Sequence, residues 1–92
     1  MEKEVVWTST AQRDFWNHIY YLAENWPIEV LQKFEFNLDI KVQLISRLPN
    51  IGFSSKKYSR FKKTLVGKHV VIIYAVKKTH IVIHKLKHAG MK

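Results

Sequence analysis

Apolar residues change their spacing twice along the chain, and each change marks a new kind of element. The opening "EKEVVWTS" alternates loosely and is rich in Val and Trp. That predicts a first strand over Glu2 to Thr8. From there the spacing turns helical. Ala11, Phe15, Ile19, Leu22 and Trp26 recur so as to share one apolar face. Ser9, with Gln12 three residues on, has the form of a capping box and places the helix start there. This helix ends near Asn25. Pro27 cannot continue it but suits the first turn of a second helix, where Glu29 meets the positive end of the dipole. Leu31, Phe34, Leu38, Val42 and Ile45 trace the apolar face of that second helix, which runs to about Leu48. A break this short makes the two helices an antiparallel hairpin.

After the turn signal "PNIG", Pro49 to Gly52, the spacing becomes that of strands. "RFKKTLV" is a candidate second strand, and Gly67-Lys68 connects it tightly to "HVVIIYAV", the most apolar segment and the natural central strand. "KKT" then turns the chain into "HIVIHKLK". The order is β-α-α-β-β-β. It predicts an α+β fold with the helix hairpin packed on one face of an antiparallel sheet. The 92 residues form a single domain, 1–92. No linker, repeat or low-complexity stretch interrupts it.

Charge changes the picture more than composition does. Residues 1 to 50 carry seven acids against five Lys/Arg, a net of −2. Residues 51 to 92 carry eleven Lys/Arg and no acid, a net of +11, together with four of the five histidines. An acid-free run of this length predicts one strongly positive side and a polyanionic or acidic partner. Its densest part is "SSKKYSRFKK", residues 54 to 63. The chain has no cysteine, which excludes disulfides and thiolate metal sites and fits a reducing cytoplasm. The longest apolar run, Val70 to Val76, is far too short for a membrane span, and the acidic opening is unlike a signal peptide. No membrane association is expected.

The chemical constellations narrow the field mostly by exclusion. His80, His84 and His88 are spaced by four within a β-branched segment. On a strand they point to one face, but neighbours stand about 13 Å apart, too far to share a metal whose ligands lie ~2 Å away. No metal and no cofactor is called for. Phosphate-loop, dinucleotide and zinc-protease motifs are absent, and no Ser–His–Asp arrangement has a motif around it. Phe15, Trp16 and Trp26 read as packing residues. In the basic segment, alternation sets Arg60, Lys62 and Thr64 on one face and Phe61 and Leu65 on the other. The second set suits burial under the helices, which leaves the first on the open face of the sheet. Lys63 is the misfit of this assignment, since it falls in the buried set. Cations there, with Tyr58 nearby, could hold phosphates and stack a base. The same surface could equally dock an acidic protein segment. Lys56, Lys57, Tyr58, Arg60, Lys62, Lys63, Lys85 and Lys87 are the candidate binding residues.

These features, in this order, resemble the RelE/ParE superfamily of toxins from type II toxin–antitoxin (plasmid stabilisation) systems. Ala11, Asp14, Phe15, Tyr21 and Leu22 stand where that family has its "A-x-x-D", aromatic and "Y-[IL]" positions. Pro49 and Gly52 match its "P-x-x-G". "KKTLVGKHVVIIYAV" resembles its meander, with Val66, Gly67, Tyr74 and Val76 in place. His69 stands where an aromatic is usual and Lys62 near the usual arginine. His88 matches a cation or histidine after the last strand. The resemblance covers nearly the whole chain. It implies a growth-inhibiting toxin held in check by an acidic antitoxin, whose charge would complement the +11 half and speed encounter.

Two mechanisms occur in that superfamily. RelE-like members cut mRNA on the ribosome without a metal, using side chains that converge on one phosphate. Lys57, Arg60, Lys62, Lys63, His69 and His88 would be the candidates here, with His88 as a general acid. ParE-like members inhibit DNA gyrase by binding it. Arg60 is the lone arginine of the basic half, and lysine offers phosphate a point charge rather than a fork. Nothing after His88 resembles the basic or aromatic tail of several RNase members. These points favour the ParE-like, non-enzymatic reading over ribosome-dependent cleavage. A basic nucleic-acid-binding domain unrelated to toxins is the third reading.

Overall fold

The computed structural model describes residues 2–54, 56 and 60–88. Its elements run β1 (Glu4–Trp7), α1 (Ser9–Asn25), α2 (Ile28–Arg47), a 3-10 turn (Pro49–Ile51), β2 (Phe53–Ser54), β3 (Lys62–Val66), β4 (Val70–Val76) and β5 (His80–His88). The strands form one sheet in the order β1-β5-β4-β3-β2. Pairing is antiparallel except between β1 and β5, which run parallel. The expected α+β architecture is present, with the apolar "VVIIYAV" strand at the centre. The sheet is mixed rather than wholly antiparallel, because β1 reaches it through the helix hairpin and enters alongside the last strand. The two-residue β2 is an addition. It pairs Phe53 with Lys63 and Ser54 with Lys62.

Each helix buries the stripe its spacing announced. Ala11 and Leu22 of α1, and Phe34, Leu38 and Ile45 of α2, are buried against Val66, Val70, Ile72, Tyr74, Ile81, Ile83 and Leu86 of the sheet. Removing each of the fully buried isoleucines from water contributes about 1.5–3 kcal/mol. The α1 cap lies one residue earlier than Ser9. Thr8 accepts a hydrogen bond from the Ala11 N–H through its hydroxyl oxygen and donates the same hydroxyl to the His84 carbonyl. Ser9 is already helical, and Gln12 reaches back to the Trp7 carbonyl instead. Trp16 and Trp26 are not core residues. They stand 55% and 52% exposed, while Phe15 packs against the core. Trp16 lies a hundred degrees round the helix from Phe15, and Trp26 lies past the helix end.

The exit of α2 is tied to the sheet by one side chain. Tyr74 is fully buried. Its hydroxyl donates to the Pro49 carbonyl at 2.7 Å and accepts from the Gly52 N–H at 3.1 Å. Pro49 and Gly52 of the "P-x-x-G" turn are thus the two groups that one tyrosine reads. Gly52 is required by closeness: a Cβ there would lie 2.5 Å from the Tyr74 hydroxyl and 2.9 Å from the Lys63 carbonyl. Gly67 is required by conformation, with φ of 60° in the turn between β3 and β4.

Register from Tyr74 fixes the faces of β3. Lys62 pairs with Tyr74, Thr64 with Ile72 and Val66 with Val70, all on the helix side. Lys63 and Leu65 therefore face away from the helices, and Leu65 is 50% exposed. This reverses the expectation that Leu65 is buried and Lys62 open. Lys63, the misfit of the expected assignment, marked the inverted phase.

Loss of the tyrosine clasp should be costly. Tyr74→Phe leaves the half-buried Pro49 carbonyl and Gly52 N–H without their partner, and unfolding by denaturant should show a loss of about 1–3 kcal/mol. Gly52→Ala should destabilise on the same order through overpacking, and less in the Tyr74→Phe background, where the nearest obstructing atom is gone. A cost below about 0.5 kcal/mol for Tyr74→Phe would contradict the clasp.

Candidate functional site

The sheet has two sides, and the sequence-predicted site residues divide between them. On the side away from the helices, register places Lys63 and Leu65 of β3, Val71, Ile73 and Ala75 of β4, and Val82, Lys85 and Lys87 of β5. One row reads Lys63–Ile73–Lys85 and the next Leu65–Val71–Lys87. Phe61 lies over this side and stacks on His84, ring centroids 4.8 Å apart. Lys56 and Arg60 are exposed in the segment between β2 and β3. Lys57 and Tyr58, candidates from the same segment, lie outside the described residues.

β5 does not keep strict alternation. Its register on β4 shifts between Ile73 and Tyr74, so that Ile73 pairs with Lys85 and Tyr74 with Ile83, leaving His84 as the extra residue of a bulge. The three histidines expected on one face are therefore split. His80 and His84 face away from the helices, and His88, opposite Val70, lies on the helix side. Asp14 meets the strand just past the bulge: its carboxylate accepts from the Leu86 N–H at 3.0 Å. The "A-x-x-D" pattern thus has a physical basis. Ala11 lets α1 approach closely, and Asp14 pairs a strand N–H on the side of the bulge.

His88 joins a cleft between the helix hairpin and the β3–β4 turn. Its Nε2 lies 3.2 Å from Nδ1 of His18, and the two rings cross at 4.6 Å. His18 is buried, edge-on to Phe34. His69 lines the same cleft with Tyr21, Leu22 and Trp26. The space continues towards Lys33 and Lys68 as a cavity of about 420 Å³. Burial lowers the His18 pKa, and the nearby His88 and His69 lower it further. His18 is thus a neutral hydrogen-bonding group near neutral pH. His18 was missed in the sequence, although it sits three residues after Phe15 and four before Leu22, inside the apolar stripe. Among the described residues no group of three or more His, Cys, Asp or Glu side chains is placed to hold a metal ion.

Of the six candidates for phosphate chemistry, the five described residues do not all gather at one point. Lys63 faces the open side, Lys62 lies half-buried beside Tyr74 in register, and His69 and His88 border the cleft. Arg60 is in the segment between strands.

Comparisons with known proteins agree on the architecture. Residues 5–92 match the profile of the ParE toxin of type II toxin–antitoxin systems, parDE. No curated protein sequence matches the chain significantly. Among solved structures, a chain of the chromosomal ParDE system from P. aeruginosa superposes with a TM-score of 0.79 at 15% identity, over 95% of this chain and 96% of that one. A chain of the Mycobacterium tuberculosis RelBE2 toxin–antitoxin complex gives 0.64 at 20% identity, covering 96% and 99%. A chain of the E. coli DinJ–YafQ complex gives 0.65 at 6% identity, covering 96% and 93%. At these identities the likeness is one of fold.

The buried histidine gives the domain a pH signature. A folded-state pKa below the unfolded value of ~6.5 means that the unfolded chain takes up the proton first. Stability should be fully present above ~6.5 and decline as pH falls from there towards the folded pKa. Denaturant titrations between pH 7.5 and 5 should show this decline, and His18→Leu should flatten it. An unchanged slope in the variant would remove His18 from the account.

Proposed function

The chain belongs to the ParE toxin family of type II toxin–antitoxin systems, and on that premise we propose that it arrests growth by binding DNA gyrase, without cutting RNA. A cognate acidic antitoxin is its counterpart. The observation that carries this reading is the scatter of the cations. Cleavage of an RNA backbone without a metal needs several groups around one phosphate, each within hydrogen-bond reach. Among the described residues, Arg60, Lys62, Lys63, His69 and His88 are spread over two sides of the sheet and the segment beside it. A surface of spread cations and apolar residues suits protein docking, where charge steers encounter and buried side chains supply affinity. No helix among the described residues is long and apolar enough to cross a membrane, in keeping with a toxin acting in the cytoplasm.

One observation favours ribosome-dependent mRNA cleavage as the second reading. His88 is exposed and bonded to a neutral His18, with Lys33 and Lys68 along the same cleft. That pair could move a proton, and the two lysines could hold an anion.

The two readings separate cleanly. Purified protein in excess over gyrase should abolish supercoiling of relaxed plasmid, and primer extension on mRNA from arrested cells should show no new cuts within codons. Untouched supercoiling together with fresh intracodon cuts would replace the gyrase reading with the RNase one.

A further inference from the structure

Hydrogen-bonding side chains from four parts of the chain converge on the cleft under the helix hairpin. Helix α1 supplies His18 and α2 supplies Lys33. The turn between β3 and β4 supplies Lys68 and His69, and β5 supplies His88. Among the described residues no carboxylate lines this space. Asp14 lines a neighbouring pocket with His18 and His88, where it already accepts from the Leu86 N–H. The floor is apolar, made by the buried Leu22, Phe34, Val66 and Val70. At the rim Tyr21, Trp26 and Val30 stand 47%, 52% and 37% exposed. Apolar side chains gathered at one mouth are what a bound body would cover.

The space is graded along its length. The part that Lys33 and Lys68 line measures about 420 Å³. The part that Tyr21, Trp26 and His88 line measures about 330 Å³. His18, Leu22, Val30 and His69 border both. Lysines thus stand at one end and large aromatic rings at the other. Volumes of this order hold one small molecule. A metal ion is disfavoured by the lysines, and no group of three His, Cys, Asp or Glu side chains is placed to hold one among the described residues. A second copy would bring like charge against Lys33 and Lys68. A nucleic-acid strand needs cations that track its backbone beside a row of stacking rings, whereas here charge and rings are at opposite ends. One charge and one ring fit that grading.

We propose that this cleft binds a small organic anion, with one ring-sized apolar body and one carboxylate or phosphate head. The head sits among Lys33, Lys68 and His69, where each lysine offers a point charge. The body lies on Leu22 and Phe34 and meets the rings of Tyr21 and Trp26. His18 acts as a positioning residue. It is only 8% exposed, and its Nδ1, 3.2 Å from Nε2 of His88, holds the His88 ring at the cleft. A bound anion ties the helix hairpin to the sheet and stabilises the fold by mass action. The inference is independent of whether the target is gyrase or mRNA.

The probes are phenylpropionate and phenyl phosphate, titrated into the full chain at about 0.1 M salt and followed by methyl NMR. Phenylpropanol supplies the ring without the charge, and inorganic phosphate the charge without the ring. At least one charged probe should shift Leu22, Val30, Val66 and Val70 saturably with a Kd of about 1 mM or tighter. The tighter of the two names the head, and both controls should bind about tenfold more weakly. Lys33→Gln and Lys68→Gln should each cost about threefold. Val30→Trp, at an exposed helical position that leaves the core intact, should fill the mouth and abolish binding. His18→Asn, which keeps a hydrogen-bonding group near the place of Nδ1, should retain more affinity than His18→Leu. Lys63→Gln, on the other side of the sheet, should change nothing. Absence of saturable binding by either charged probe at about 10 mM, or wild-type binding by Val30→Trp, would overturn the inference. Inorganic phosphate binding as tightly as phenyl phosphate would mean an adventitious ion only. An RNA strand of about 20 nucleotides that Val30→Trp excludes, with both phenyl probes silent, would give the cleft to nucleic acid instead.

Discussion

The Tyr74 hydroxyl is the contact on which the rest depends. It donates to Pro49 and accepts from Gly52, so it fastens the exit of α2 to the central strand. A buried hydroxyl needs its hydrogen-bond partners, and the half-buried Pro49 carbonyl and Gly52 N–H supply them. Once Tyr74 points to the helices, the pleat turns Ile72 and Val70 the same way. Antiparallel register then draws Lys62, Thr64 and Val66 to that side and pushes Lys63 and Leu65 to the other. The face that carries charge is thus set by a tyrosine that never reaches the surface.

A second constraint acts at β5. The bulge at His84 lets one strand serve two sides. Before it, His80 and Val82 face away from the helices. After it, His88 faces the hairpin and meets His18. Thr8 and Asp14 hold the strand at the bulge and just past it, through the His84 carbonyl and the Leu86 N–H. The result is a domain with two separate surfaces. One is cationic and apolar, on the sheet. The other is a histidine-lined cleft under the helix hairpin.

The helices and the central strand were legible in the sequence because burial imposes a period of 3.6 or 2 on apolar residues. The resemblance carried by Ala11, Asp14, Pro49, Gly52 and Tyr74 was legible for a related reason: those residues make the contacts that pin helices to sheet. What was not legible follows equally from physics. β2 is two residues long and has no period to read. β3 has an apolar residue on each face, so alternation alone could not choose its phase, although Lys63 among buried positions pointed the right way. The bulge inserts one residue and shows only as a spacing of three between Ile83 and Leu86, too brief a change of period to read as an insertion. His18 looks polar by type, yet its place in the stripe between Phe15 and Leu22 is that of a core residue.

The account turns on β4 and β3 presenting opposite faces to the helices and to solvent. Methyl NMR with a soluble paramagnetic agent tests that directly. The Leu65 methyls, half-exposed, should broaden strongly, while those of Ile72, wholly buried, should keep their intensity and show NOEs to the helix core. Strong broadening at Ile72 with protection at Leu65 would mean that the strand phase, and with it the cationic face, is the reverse of the one described.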